Sequence, residues 1–398
     1  MGSRGAISAF TLLALLLISA CPQALAAPST MLASPLASSQ NCLNGGSSGS
    51  RVPLNASVAV IKPVFTSTPY SQYPSGSFYA FYKKYTHAAG NITTNLGWLS
   101  TSVKFGMSYL NGWGHTFPLF QFLSSPSAIS CGLVLGKNLA VISDINVTQG
   151  ALFNPDGSRR FDAVVIGHQE YVTQAEYDQL RLFVASGGRL VAMSSNMFYA
   201  RVDYAPSTLL ETFVVGHGGY NFNGRTAWFG NAAPFARNSS GWLGSNYCCF
   251  HRFNYTGGVV DASNPVGSML KQYVGGALAP AYRTHEENAV ANLTRTSIVA
   301  TFTRQSGLVV ASYIHQYGRG AVFCLCIFGE DFIASDPSTQ YFLVASLAVP
   351  LSAVFGALQT TGPSYSLPTS ALIGLVVAAV SVPTIFLWWR RAYHKGQR

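Results

Sequence analysis

The chain has 398 residues, 48% of them hydrophobic and only 10% charged, with 24 Lys and Arg against 14 Asp and Glu for a formal net charge of +10. Arg4, Arg390, Arg391, Lys395 and Arg398 lie near the ends, and without them the balance is 19 to 14, or +5. No basic cluster is interleaved with aromatics, so nucleic-acid recognition is not expected, while the length suffices for a substantial core.

Arg4 precedes an apolar run at 10–20 and the small-x-small site Ala24-Leu25-Ala26, so residues 1–26 read as a signal peptide. Residues 27–52, rich in Ser, Ala, Pro and Gly, read as a flexible lead-in. The first strand is expected at 59–65, at a sheet edge because Pro63 lacks a ladder donor. An aromatic helical segment follows at 77–85 and a second strand at 139–145, with Asp144 near its carboxyl end.

Residues 161–204 are the most informative stretch. A nearly continuous apolar run at 161–166 reads as a strand covered on both faces, and 174–185 has helical spacing. Gly187-Gly188 ends that helix and 189–193 is another short strand. Such a βαβ unit makes its strands parallel, and ligands of such sheets bind beyond the strands' carboxyl ends. Two loops are expected there, 167–173 with His168, Glu170 and Tyr171, and 194–199 with Ser195, Asn196 and Tyr199. Of these, His168 is a candidate base, Glu170 and Asn196 are candidate binding groups, and Asp144 and Asp331 are further binding candidates at other strand ends.

The Gly- and Trp-containing region 205–294 reads as an insertion or subdomain, followed by strands at 297–302, 308–315 and 321–328 and an apolar helix at 341–355. Residues 53–355 form the expected extracellular domain, 356–366 a stalk, 367–389 an uncharged stretch long enough for a bilayer core of about 30 Å, and 390–398 a basic cytoplasmic tail. Those ends predict a single-pass type I protein of the cell membrane, held in the bilayer by one helix. Six cysteines remain after signal removal, Cys42, Cys131, Cys248, Cys249, Cys324 and Cys326, an even number that favours disulfides in an oxidising compartment. Their adjacent-pair and C-x-C spacings lack the C-x2-C pattern of zinc sites. Sequons at Asn55, Asn91, Asn146, Asn238, Asn254 and Asn292 are glycosylation candidates.

No GxGxxG, GxxxxGK or HExxH motif is present, which disfavours nucleotide chemistry. The segments 161–167 and 188–196 resemble the glutamine-amidotransferase-like, flavodoxin-type α/β superfamily. More closely, His168-Gln169-Glu170-Tyr171, Gly187-Gly188-Arg189-Leu190 and Asn196-Met197-Phe198-Tyr199 resemble, in order, short motifs of the C-terminal domain of the N,N-dimethylformamidase beta subunit. The resemblance implies a three-layer parallel sheet.

Class I amidotransferases carry a nucleophilic Cys where this chain has Met193-Ser194-Ser195-Asn196, so glutamine hydrolysis through a thioester is not expected. Ser195 is a replacement nucleophile only with His168, His285 or His315 within about 3 Å. Resemblance to dimethylformamidase implies iron, or another divalent or trivalent metal, held by two tyrosinates and a glutamate. Tyr171 and Tyr199 match its tyrosine-bearing motifs, and Glu330 is preferred over Glu286 and Glu287 as the carboxylate because it follows a strand whose end faces the same crevice.

Two functions follow. The first is a membrane-anchored extracellular domain, catalytically inactive or non-classical, that binds a ligand such as a glycan or an envelope protein, or serves envelope structure. The alternative is a metal-dependent hydrolase of a small amide or other C–N bond.

Overall fold

The computed structural model describes residues 52–53, 55–71, 102–104, 112–216, 239–251, 256–274, 277–278, 285–290, 295–304, 307–326 and 329–360. Fifteen strands are named among them: β1 Val58–Lys62, β2 Ser102–Lys104, β3 Leu139–Ser143, β4 Ala163–Ile166, β5 Gln169–Val172, β6 Arg189–Ala192, β7 Met197–Ala205, β8 Leu210–Gly216, β9 Ser245–His251, β10 Thr256–Val260, β11 Ala277–Leu278, β12 His285–Val290, β13 Thr296–Arg304, β14 Gly307–Tyr317 and β15 Gly320–Leu325. The helices are α1 Val64–Ser71, α2 Phe117–Leu123, α3 Pro126–Ser130, α4 Asp144–Thr148, α5 Gln174–Ala185, α6 Ser240–Leu243, α7 Pro265–Val274, α8 Gly329–Phe332, α9 Pro337–Ala348 and α10 Leu351–Thr360, with a 3-10 turn at Gly114–Thr116.

The central sheet has nine strands in the order β11-β10-β13-β14-β15-β6-β4-β1-β3. β3, β1, β4, β6 and β15 are successive parallel neighbours. β14, β13, β10 and β11 extend the sheet antiparallel from β15. The architecture is therefore α/β with a mixed sheet, which corrects the expected all-parallel flavodoxin-like one. Each strand of the parallel part alternates between two cores. Val58 and Val60, Ala163 and Val165, and Ala321 and Phe323 face one; Ala59 and Ile61, Val164 and Ile166, and Val322 and Cys324 face the other. Burial on both faces is why these strands read as continuous apolar runs.

Two further sheets lie outside this layer, β2-β8-β7-β5 and β12-β9. The two expected loops are thus corrected in part: Gln169–Val172 and Met197–Ala205 are parallel strands of a second sheet. β1 is also not at an edge, because it pairs with β3 on one side and β4 on the other; it stops at Lys62, so Pro63 falls between it and α1. The apolar helix expected at 341–355 is two helices, since Val349 leaves helical geometry before Pro350. The segment 77–85 lies outside the described residues.

Thr173 caps α5 by accepting from the Glu176 N–H at 3.1 Å, and its hydroxyl also meets that of Thr148 on α4 at 2.8 Å. Thr173→Ala is expected to destabilise the fold by about 1 kcal/mol, read from the urea midpoint, whereas Thr173→Ser recovers most of that loss. Arg189 opens β6 and donates to the Ser346 and Val349 carbonyls at 2.5 and 2.7 Å, placing a cation at the C-terminal end of α9. Burial lowers its pKa to about 10, which leaves it charged near neutral pH.

The membrane-anchored, type I topology is corrected on the same grounds. Among the described residues no helix is long and apolar enough to cross a membrane, and the stretch 367–389 lies outside them. The cysteine expectation is corrected at Cys324 and Cys326, which are buried thiols; Cys131 is disulfide-bonded. Asn55 and Asn146 are exposed, whereas Asn91, Asn238, Asn254 and Asn292 lie outside the described residues.

Candidate functional site

Strand order places a topological switch between β1 and β4: the chain leaves β1 toward β3 on one side and leaves β4 toward β6 on the other. A crevice opens at such a point beyond the carboxyl ends of the strands. α1 follows β1 into this region and β5 follows β4, while the Ser194-Ser195-Asn196 segment follows β6 and α8 follows β15. Thr66 of α1 ties the first two together, its hydroxyl accepting from the Tyr171 N–H at 3.1 Å. The 3-10 turn is tied in through Thr116, whose hydroxyl accepts from the His168 N–H at 3.0 Å. Gly167 permits this approach, because a Cβ there would lie 2.5 Å from the Thr116 hydroxyl oxygen.

Glu170 is the centre of the resulting polar cluster and is 1% exposed. Its Oε2 accepts from the Tyr70 hydroxyl at 2.5 Å and the Asn196 amide at 3.1 Å, and lies 3.2 Å from His168 Nε2. Asn196 Nδ2 is also 3.1 Å from His168 Nε2. Nε2 cannot donate to Glu170 and accept from Asn196 at once. The carboxylate favours the tautomer with the proton on Nε2, which leaves the Asn196 amide to donate to Glu170. That tautomer presents a bare lone pair at Nδ1, a buried atom with no hydrogen-bond partner among the described residues.

Around this pair the rings of Tyr70 and His115 pack edge-on to His168, with centroids 5.3 Å away in each case. His115 Nδ1 lies 3.5 Å from Asp331 of α8, the helix that follows β15. The hydrogen bond to Asp331 raises the pKa of His115 and outweighs its partial burial. A narrow cleft, too tight in this conformation to hold a water molecule, is lined here by Tyr70, Trp113, His115 and His168, among others. A wider depression beside β3, bordered by Leu135, Lys137 and Val141, holds none of these groups.

His168, Glu170 and Asn196 therefore share one site, with Asp331 at its border. Ser195 is fully buried next to Asn196, but its hydroxyl has no hydrogen-bond partner among the described residues, so no serine–histidine pair is formed there. His315 is engaged elsewhere, with Nδ1 on the Thr296 hydroxyl, and burial lowers its pKa to about 4. The side chain of His285 lies outside the described residues. Asp144 stands apart from the cluster as a structural group: its carboxylate accepts from the Phe65 and Ile145 N–H groups at 2.8 Å each. Tyr70 and His115 were not singled out from the sequence, because neither belongs to a recognisable motif and both arrive through connections after β1 and before α2.

The metal expectation rests on three buried residues. Tyr171 and Tyr199 are on the adjacent strands β5 and β7, where Tyr171 stands opposite Ala200 after an irregular register step. Glu330 is fully buried at the start of α8, and its N–H donates to the Met193 carbonyl at the end of β6. Two phenols and a carboxylate make an all-oxygen donor set that suits a hard cation. Among the described residues no group of three His, Cys, Asp or Glu side chains could hold a metal ion, so a cation at this edge would depend on the tyrosines.

Comparison with curated proteins returns no match. Among solved structures, a beta-galactosidase from Rahnella sp. R3 shares 16% identity at a TM-score of 0.38, over 77% of this chain and 32% of that one. The chain thus spans about a third of that enzyme's length. A ThuA-like protein from Bacteroides uniformis shares 12% identity at a TM-score of 0.37, over 63% of this chain and 86% of its own. The family model for the C-terminal region of N,N-dimethylformamidase beta subunit-like proteins matches residues 52–265, more than half of the sequence, and the chain belongs to that family.

Proposed function

We propose that the chain hydrolyses the C–N bond of a small amide at the cleft bordered by α1, the 3-10 turn and His168. One observation carries the reading: a buried glutamate, Glu170, holds His168 by Nε2 and leaves its buried Nδ1 without a hydrogen-bond partner among the described residues, beyond the carboxyl ends of the parallel strands. Family membership supports it. It replaces the expectation of an inactive ligand-binding or envelope module anchored in a membrane, which the fold and the family match do not favour.

In this reading His168 Nδ1 takes a proton from the attacking water, and the Glu170 carboxylate stabilises the imidazolium that forms, as the carboxylate of a hydrolytic triad does. Asn196 and Tyr70 hold the carboxylate in place through their hydrogen bonds. His115, whose pKa the hydrogen bond to Asp331 raises, packs against His168 and is placed to return a proton to the departing amine. Tyr171, Tyr199 and Glu330 would hold the hard cation that the family implies. When bound, that cation would supply Lewis-acid polarisation of the amide carbonyl.

The test is incubation of the purified chain, after dialysis against ferrous, ferric or zinc salts, with N,N-dimethylformamide, formamide and N-methylacetamide, following amine and carboxylate by proton NMR. Release above the uncatalysed background, abolished by His168→Ala, is the expected result. No release from any amide in any metal form would sink the reading.

A further inference from the structure

The C-x-C pair at the end of β15 takes no part in that chemistry. Cys324 and Cys326 have their sulfur atoms 3.3 Å apart, and both side chains are buried on the face shared with Val322, Tyr313 and Trp242. Cys324 stands opposite Ala192 of β6 and Tyr313 of β14. Cys326 is one residue beyond the last strand residue, and its N–H donates to the Ala311 carbonyl at 2.8 Å. The Tyr313 hydroxyl is anchored nearby, donating to the Leu243 carbonyl at 2.8 Å and sharing a 2.5 Å contact with the Ser245 hydroxyl.

We propose that Cys324 and Cys326 are a redox-modification site, closing to an intramolecular disulfide and reopening by thiol–disulfide exchange with a low-molecular-weight disulfide. The thiolate of one cysteine attacks the oxidant's S–S bond and forms a mixed disulfide while releasing one thiol. The second thiolate then displaces the remaining thiol. The protein loses two electrons and two protons, and the oxidant is reduced to two thiols.

Geometry indicates what kind of disulfide this is. Residues two apart in a strand are separated by roughly 6.6 Å at Cα, the upper end of the disulfide range of about 4.4–6.8 Å. Cross-links at that limit store strain and are more readily reduced than structural ones. The position of Cys326 just outside the strand gives the backbone one residue over which to adjust. Closure would act on the connection to α8, which carries Glu330 and Asp331, so the pair sits where its redox state can alter one border of the crevice. Burial makes exchange slow and shields both thiols from alkylation in the native state.

The experiment equilibrates the full chain in glutathione buffers of graded ratio, then acid-quenches, denatures, alkylates and maps the peptide that begins at Gly320. Both thiols are expected to disappear together, giving a peptide two hydrogens lighter that excess reduced glutathione restores, while the Cys131 disulfide persists. Persistence of two alkylatable thiols at every ratio overturns the proposal. Separate glutathione adducts without an internal bond overturn it as well. Cys326→Ser is expected to abolish the internal bond, and its survival in that variant would place the bond on other cysteines and reject the assignment. The outcome does not depend on whether the chain hydrolyses amides.

Discussion

Glu170→Gln is expected to lower kcat/KM for the proposed amide hydrolysis by about 10²–10⁴-fold, the range for losing the carboxylate that orients a catalytic imidazole. Three donor groups converge on one carboxylate oxygen: Tyr70, Asn196 and His168 Nε2. Glutamine keeps the size but removes the charge that stabilises the imidazolium. Its NH2 group also introduces two donors into a site that already has too many. Rotated to satisfy its own hydrogen bonds, that amide donates to Nε2 and moves the histidine proton to Nδ1, the atom that must accept. The effect should fall on kcat more than on KM, with the circular dichroism spectrum and urea midpoint near those of the wild type. A variant with at least a third of wild-type activity would remove Glu170 from the mechanism.

The second large effect concerns stability and pH. Asp144, Glu176 and Glu211 are fully buried carboxyl groups, and burial is the leading cause that raises each pKa well above the ordinary range. Asp144 adds to the rise at Glu176, and Asp144 and Glu176 together add to that at Glu211. Backbone N–H groups of Phe65 and Ile145 partly oppose the shift at Asp144, and Gln169 does so at Glu176 with a 2.7 Å hydrogen bond. Both oxygens of Glu211 lack a hydrogen-bond partner among the described residues.

The folded state therefore binds more protons than the unfolded one above the ordinary carboxylate range. This stability is fully present below the unfolded pKa of about 4 and is lost as pH rises through the folded values. An uncompensated buried charge is worth roughly 3–5 kcal/mol, so thermal unfolding should move markedly downward between pH 5 and pH 8. Glu211→Gln should raise Tm at pH 8, by roughly 2–4 °C per kcal/mol recovered, and flatten the pH dependence. It should change Tm little at pH 4. Asp144→Asn should not stabilise similarly, because its carboxylate accepts from two backbone donors. A lower Tm for Glu211→Gln at pH 8, or an unchanged slope, would reject this account.

Sequence pattern alone determined the parts of the molecule whose stability is written locally. Ala163–Ile166 is apolar at every strand position, and 189–192 at every position after Arg189, because both sheet faces are covered, and the Gly187-Gly188 stop follows a helix with clear periodicity. These features made β1, β3, β4, β6 and α5 legible, and with them the sheet edge where His168, Glu170 and Asn196 meet. Only the tertiary structure decided the rest. β5 and β7 are recognised by their partner strands rather than by period, so Glu170 and Tyr171, read as loop residues, proved to be strand residues. Tyr70 and His115 reach the cluster from separate connections, and no spacing in the chain encodes that meeting. The buried carboxyls are equally silent in the sequence, since Glu176 on α5 and Glu211 on β8 have the residue type of a solvated face. Local pattern records the period of an element; which charges it must bury is set by the surfaces that close over it.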